Sequence, residues 1–328
     1  MCQKTTKTPP PTIDRFRGPY DFLSNFYPAK LRYEGLTYCN AEAAYQAQKG
    51  KEDAVRPSFS RLYGDEAKRR ARQIPLREDW EERKVAVMEG VLAAKFSQNP
   101  HLAQWLMETG EALLREGNPW GDRFWGVDQK TGAGENRLGQ LLMALRDRYR
   151  REGVPPAPPC PEQRFQASDG LILTDRESAW LPAACIVHGE DASCRDTVFR
   201  AAGPALREAR QKLGRWEIGQ ARLTPGYGLR AAYVLHVIEP VYGRDPEALL
   251  AQCYAACLDL AQAHRFPEIV FPPLATGKAC FPKEKAARIA VESVRRWRKA
   301  HGEQMVLFSC ADQRSYDCVR AALEGAAP

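Results

Sequence analysis

The chain has 328 residues, 44% of them hydrophobic and 27% charged, which suits two folded domains rather than one or a disordered polymer. Its formal net charge of +7 and pI near 8.9 suit a phosphate-bearing ligand or nucleic acid without specifying either. No apolar run is long enough for a bilayer, the start MCQKTTKTPPPT lacks a signal-peptide core, ten cysteines include no CxxC pair, and five scattered histidines include no HExxH. The expectation is a cytoplasmic protein in a reducing compartment, with no membrane, metal or cofactor.

Residues 1–12, rich in Thr, Lys and Pro, read as a disordered leader. Phe16–Pro28 (FRGPYDFLSNFYP) reads as an ordered loop or short strand that packs its rings. Leu31–Tyr33 and Leu36–Tyr38 flank Glu34-Gly35 and predict a hairpin. The hairpin leads into Asn40–Gly50 (NAEAAYQAQKG), predicted as a helix of about two turns. Asn40 suits the N-cap, and Gly50 stands where helices end. Glu42, Tyr45, Gln46 and Lys49 share one face at i, i+3, i+4 and i+7, while most other positions are alanine. A carboxylate, a phenol, an amide and an amine together can do acid–base and nucleophilic work. The same charges also suit the helix dipole on a solvated face, and spacing alone does not separate the two readings.

Gly64–Gln73 is basic and helical, so Arg69, Arg70 and Arg72 either reach phosphate or line an exposed face. Glu78–Gln98 is the longest helix of this half, with a core stripe of Trp80, Val87, Met88, Val91, Leu92 and Phe96. His101–Glu108 is a shorter one. Between Asn118 and Arg150, Trp120 and Trp125 lie in a loop, as core or as a sandwich for a flat base. Asn136 then opens a helix that buries Leu138, Leu141, Leu142 and Leu145, as a cap or as a ligand contact beside a helix N-terminus.

Taken in order, LSNFYP, NAEAAYQAQKG, RxDWxxxKxxVM, LxAKFxQN and WGxDxxxGxGxNxLGxxLMxxR resemble the NADAR superfamily over essentially all of residues 13–150. The resemblance implies cleavage of N-glycosidic bonds to ribose. One branch is implied to act on riboflavin-pathway intermediates, another to remove ADP-ribose from guanine bases. It implies Lys49 and Glu42 as the catalytic pair, and Ser24, Asn25, Phe26, Tyr45, Gln46, Trp120, Trp125, Gly126 and Asn136 as substrate-binding. One departure is Ala43, where the family often has histidine. If the ribose hangs on an exocyclic amine, a neutral Lys49 could exchange the ring-opened imine while Glu42 shuttles protons. Alternatively Glu42 activates water and Lys49 only holds the substrate. Both routes stay open.

Glu152–Arg164 is a Pro-rich, semi-extended linker between a domain at 13–151 and another at 165–328. Strands are predicted at Leu171–Thr174, Ala184–His188, Ala232–Val237, Glu268–Phe271 and Gln304–Ser309. Helices are predicted at Arg195–Leu213, Pro246–Ala263, Lys283–Ala300 and Asp312–Leu323. The fold class is therefore α+β, a mostly helical first domain followed by an α/β three-layer domain. The loop Glu268–Pro282, with FRAAGPALREA and ARLTPGYGLRAAYVLHVIEP, resembles macro domains over residues 165–325. That implies ADP-ribose binding by Asp175, Val187, Ala275, Thr276, Gly277, Lys278, Ala279, Cys280 and Phe281. The usual Asn-Ala-Ala-Asn segment is replaced by HGEDASCRDTVFRAAG, which puts hydrolysis by this half in doubt. His188, Glu190 and Asp191 there supply either another chemistry or a polar strand end.

The leading expectation is an enzyme that removes ADP-ribose from a nucleobase, with guanine in DNA or a nucleotide as acceptor, countering a DNA ADP-ribosyltransferase toxin. The alternatives are an N-glycosidase of small ribosyl-amines and a non-catalytic reader of ADP-ribose.

Overall fold

The computed structural model describes residues 10–158, 160–190, 197–243 and 246–325. Contacts divide the chain into two compact units, one ending at Pro161 and the other beginning at Glu162.

In the first unit, β1 (Thr12–Ile13) pairs in parallel with β4 (Leu113–Leu114). Thr12, read as the end of a disordered leader, is therefore in a strand, because a neighbouring strand satisfies its backbone. Residues 1–9 of that leader lie outside the described part. Phe16–Pro28 forms a 3-10 turn at Gly18–Leu23 whose Phe22 and Leu23 are fully buried. The predicted hairpin is present as β2 (Pro28–Tyr33) against β3 (Leu36–Asn40). Glu34 (φ 47°) and Gly35 (φ 79°) both take left-handed angles at its turn, matching the strands' twist.

The hairpin ends directly in α1 (Ala41–Ala47), all seven of whose residues are buried. Asn40 Oδ1 accepts from Ala43 N at 2.8 Å, and Asn40 Nδ2 donates to Leu62 O at 2.9 Å. The alanines bring the helix close to the hairpin, to α2 (Gly64–Ala71) and to α3 (Trp80–Ser97). The helix is shorter than predicted. Gln48 caps it, and Gly50 is no helix cap but bridges to Leu76 as extended chain. Lys49 thus sits just past the helix, its N donating to Gln46 O and its O accepting from Arg77 N.

The predicted core stripe of α3 is buried, and so is Lys95. Then follow α4 (Pro100–Glu108), β5 (Gly117–Asn118) parallel to β6 (Val127–Asp128), and α5 (Arg137–Glu152). The β4–β5 segment and the start of α5 meet backbone to backbone. A Cβ on Gly139 would lie 2.2 Å from Leu114 O, and one on Gly126 would lie 2.3 Å from Glu116 O.

The second unit holds a seven-stranded sheet. Its strands are β7 (Arg164–Gln166), β8 (Ile172–Thr174), β9 (Cys185–Glu190), β10 (Ala221–Pro225), β11 (Tyr233–Ile238), β12 (Glu268–Phe271) and β13 (Met305–Ser309). Their order is β10-β11-β9-β12-β13-β8-β7, antiparallel only at the two edges. The five central strands were predicted; the edge strands β7 and β10 were not. The helices are α6 (Thr197–Ala202), α7 (Pro204–Lys212), α8 (Pro246–Ala263), α9 (Lys283–His301) and α10 (Gln313–Glu324). One face of the sheet packs on α8, α9 and α10, the other on α6 and α7, giving the three layers expected. Cys253 and Cys257 are fully buried on α8 as small apolar groups. The single helix predicted for Arg195–Leu213 is two, because Gly203 (φ 82°) and Pro204 end one and start the next. No helix among the described residues is long and apolar enough to cross a membrane.

Asn40 serves both the α1 cap and the irregular segment before α2. Asn40→Ala should cost about 1–3 kcal/mol in denaturant unfolding, with Asn40→Asp recovering the cap share. An unchanged midpoint would refute this account of how α1 is held.

Candidate active site

A pocket of about 1310 Å³ opens in the first unit. From α1 and the turn after it come Glu42, Tyr45, Gln46 and Lys49; the loop before β2 adds Ser24, Asn25 and Phe26. The α2 segment adds Lys68 and Arg72, and the loop from β5 adds Trp120 and Trp125. The residues that share a helix face by spacing are thus brought together on one cavity.

The Glu42 carboxylate accepts from Gln46 Nε2 at 2.7 Å and lies 3.7 Å from Lys68 Nζ. Its backbone N donates to Asn25 O at 2.9 Å, which docks the helix on the loop. Burial pushes the Lys49 amine below the ordinary lysine range; Glu42 opposes this and Lys68 reinforces it. Lys49 Nζ stands 5.4 Å from the Tyr45 ring centre and 5.6 Å from that of Trp80. Tyr45 packs edge-on against Trp125 at 5.6 Å, and burial lifts its phenol far above the usual range. Tyr45 is therefore a neutral hydroxyl, while Lys49 is an amine moved toward its nucleophilic form.

Two acceptors in this pocket, Asn25 Oδ1 and Gln46 Oε1, are buried without a hydrogen-bond partner among the described residues. Such oxygens suit the hydroxyls of a sugar. Phe26 and Trp120 are 43% and 59% exposed, so flat apolar faces stand at the pocket for a base. Lys68 Nζ lies 4.9 Å from the Phe26 ring centre. Arg69 pairs with Asp65 at 3.6 Å on the exposed side of α2, so only part of that basic stretch serves the pocket.

The Ser24–Phe26 loop is pinned from behind by Lys95, whose Nζ donates to Phe22 O and Ser24 O, each at 2.7 Å. Burial pushes this amine down to about 7, with Asp21 opposing. Both hydrogen bonds survive loss of the charge, since a neutral amine keeps two N–H groups.

Gly126 and Asn136 do not line the pocket. Asn136 holds a left-handed backbone (φ 53°); its Oδ1 accepts from Glu116 N at 3.0 Å and its Nδ2 donates to Leu114 O at 2.8 Å. Its side chain is spent on backbone, neither capping α5 nor reaching the cavity. The sequence reading missed Arg17, Lys68, Glu116, Asn118 and Asp122 as lining residues. No helical periodicity connects Glu116 to the rest, and only the β4–β5 fold brings it in. Asn118 and Asp122 bond each other, and Asp122 Oδ1 accepts from Trp125 N at 2.9 Å, which sets the tryptophan. Ala43 is fully buried and does not line the pocket.

In the second unit, the loop after β12 commits three of its amides to the protein. Ala275 N donates to Glu239 Oε1 at 2.8 Å, Cys280 N to Gly277 O at 3.0 Å, and Phe281 N to Ala275 O at 3.0 Å. Thr276 Oγ1 donates to Pro273 O, and Ala279 O accepts from Tyr242 N. Gly277 and Lys278 are exposed. A Cβ on Gly277 would meet nothing within 4 Å, so the tip is open. Val187 is fully buried in the core under α8 and α9, and Asp175 is buried after β8 with its N on Gln163 O. Neither offers an open ligand contact of the kind the loop tip does.

The polar end of β9 is a buried network. The parallel register sets His188 beside His236, far apart in sequence. Both oxygens of Glu190 accept from Arg210, whose guanidinium stacks 4.1 Å from Trp216. A ring nitrogen of His236 lies 2.8 Å from Thr224 Oγ1. Burial works against the Glu190 carboxylate, but His236 and Arg210 hold it below the ordinary range. His188, Glu190 and His236 offer ligand atoms within 4.8 Å of one another. Any cation would have to displace the guanidinium, so the trio does not fit a metal. Asp191 lies outside the described residues.

The family model of the NADAR domain matches residues 14–150, and that of the Macro domain matches residues 185–290. A macro domain-containing protein of Chlorobaculum tepidum is 42% identical over 130 residues, covering 38% of this chain and 76% of that protein. One of Methanosarcina mazei is 37% identical over 164 residues, covering 49% and 88%. The ADP-ribose glycohydrolase MACROD1 of Bos taurus is 36% identical over 112 residues; the match covers 33% of this chain and only 34% of that enzyme. The Oceanobacillus iheyensis macrodomain solved with ADP has a TM-score of 0.47 and 22% identity, covering 50% of this chain and 96% of that one.

The lowered Lys49 amine has a direct check. At about pH 8, an amine-selective acylating reagent should label Lys49 several-fold faster than exposed Lys51, read by peptide mass spectrometry. Equal rates would refute an activated Lys49.

Proposed function

Since this chain belongs to the macro domain family and carries a NADAR domain ahead of its macro domain, we propose that its first unit is an N-glycosidase that releases ADP-ribose from a nucleobase. The acceptor we assign is guanine, in DNA or in a nucleotide. The carrying observation is the pairing of Glu42 with a lowered Lys49 on one pocket of about 1310 Å³. That volume exceeds the usual range for small-ligand pockets, about 300–1,000 Å³, and suits a diphosphate-bearing dinucleotide better than a small ribosyl-amine.

Each part of such a substrate has a partner of matching chemistry. Arg17, Lys68 and Arg72 supply positive charge for phosphates. Asn25 Oδ1 and Gln46 Oε1 accept from ribose hydroxyls, and Trp120 and Phe26 stack on a base. Lys49, as a neutral amine, attacks C1 of the ring-opened ribose, and Glu42 moves the protons. The competing step, water activated by Glu42, uses the same residues and differs in leaving no covalent adduct.

The second unit would hold or recruit ADP-ribose through the open tip at Thr276–Lys278. Release of ADP-ribose from DNA would make the chain an antitoxin to a DNA ADP-ribosyltransferase.

The test is turnover of guanine-ADP-ribosylated DNA by the whole chain. Wild type should release free ADP-ribose, and Lys49→Ala and Glu42→Ala should each lose at least about 10²-fold. Borohydride should trap an adduct on Lys49 if the imine route operates. Binding of ADP-ribose without any release would instead make the chain a reader, and neither binding nor release would turn attention to small ribosyl-amines.

A further inference from the structure

We propose that Glu116 is a second catalytic carboxyl in the pocket of the first unit, donating the proton that the departing base requires. The assignment rests on the glycosidase reading above. It starts from an imbalance. Breaking a C1–N bond leaves an electron pair on the base nitrogen, which must be protonated. Among the groups argued so far, Lys49 attacks and Glu42 alone moves protons, and its oxygens already meet Gln46 and Lys68, so a separate group that holds a proton for the departing nitrogen would complete the set.

Glu116 lines the same pocket, and its Oε2 is buried without a hydrogen-bond partner among the described residues. A carboxyl in that condition keeps its proton more easily than one in water, because no donor compensates a negative charge. Burial raises it first and Asp122 next; Glu42 also raises it, while Lys68 and Arg17 lower it, and the result is about 7. Glu42, by contrast, has Gln46 and Lys68 at its oxygens. Among the carboxyls on this cavity, Glu42 is partnered by donors and Glu116 Oε2 is not, a contrast that divides them into base and acid.

The surrounding wall is built on Glu116. Asn136 Oδ1 accepts from its N, and its O accepts from Val127 N at 2.8 Å. A Cβ on Gly126 would come within 3.3 Å of Glu116 Cγ as well as striking its carbonyl. Asn136 and Gly126, which resemblance placed at the substrate, thus act as positioning residues for Glu116.

In the imine route, Lys49 Nζ adds to C1 of the ring-opened iminium and the C1=N π pair moves onto the base nitrogen. The Glu42 carboxylate takes a proton from Nζ, the base nitrogen leaves with the C1–N pair and the Glu116 proton as C1=Nζ forms, and water hydrolyses that imine to free the amine and ADP-ribose. In the direct route, water oxygen bonds to C1, Glu42 takes a water proton, and the same nitrogen leaves with the Glu116 proton. Solvent reprotonates Glu116 in both.

The experiment is the pH dependence of ADP-ribose release for wild type and Glu116→Gln. Wild-type kcat/KM should fall as pH rises through about 7, where the acid loses its proton. Glu116→Gln should bind ADP-ribose as wild type does, lose about 10²–10⁴-fold in kcat with little change in KM, and lack that alkaline limb. A wild type that turns over beside an equally active Glu116→Gln overturns this assignment alone. A wild type that releases nothing overturns the glycosidase reading and this with it. If Glu116→Gln does not fold, a wild-type profile flat from about pH 6 to 9 overturns the assignment.

Discussion

The first unit depends on a short helix buried along its whole length. Seven residues are too few for a helix to stand alone in water, so α1 exists because its surroundings complete it. Asn40 satisfies the first turn, the alanines admit close neighbours, and Arg77 and Asn25 take up backbone groups at the two ends. The polar face of such a helix is then surrounded by protein. That is why a carboxylate 4% exposed and a half-desolvated amine coexist there. The chemistry of the pocket and the packing of the helix are one arrangement seen from two sides.

Much of this was legible in the sequence. The hairpin followed from Glu34-Gly35, the α3 core stripe from its period, and the shared face of Glu42, Tyr45, Gln46 and Lys49 from helical spacing. What escaped was non-local. Glu116 and Asp122 come from irregular chain with no period to read, and they meet α1 only through the β4–β5 wall. Lys95 is one of six charged residues of α3 and nothing in the helical period sets it apart, yet two carbonyls of a turn more than seventy positions earlier hold it inside. Asn136 was legible as special, through its place before α5, but not in its role, because its left-handed backbone turns the side chain onto β4.

The second unit shows the same division. The buried central strands announce themselves as apolar runs, while β7 and β10, half-exposed edges, carry no such signal. The end of β9 was legible as a polar strand end, one of two readings open there, but its partners were not. His188 and His236 lie on strands that become neighbours only through parallel register, and Arg210 reaches Glu190 from α7. A buried guanidinium–carboxylate pair of this kind contributes little net stability, but removing one member leaves a stranded charge. It therefore fixes how α7 lies on the sheet.

The backbone contacts at Gly126 and Gly139 have a consequence for how this pocket can diversify. That wall has no volume to give: each change of side chain there strikes a carbonyl within 2.3 Å. The rim carrying Phe26, Arg72 and Trp120, with the partly exposed Lys68, faces solvent. Over evolutionary time, new acceptor bases or strand contexts would be explored along that rim, while the wall stays constant. Related chains acting on different substrates should thus diverge on one lip of the cavity and agree on the other.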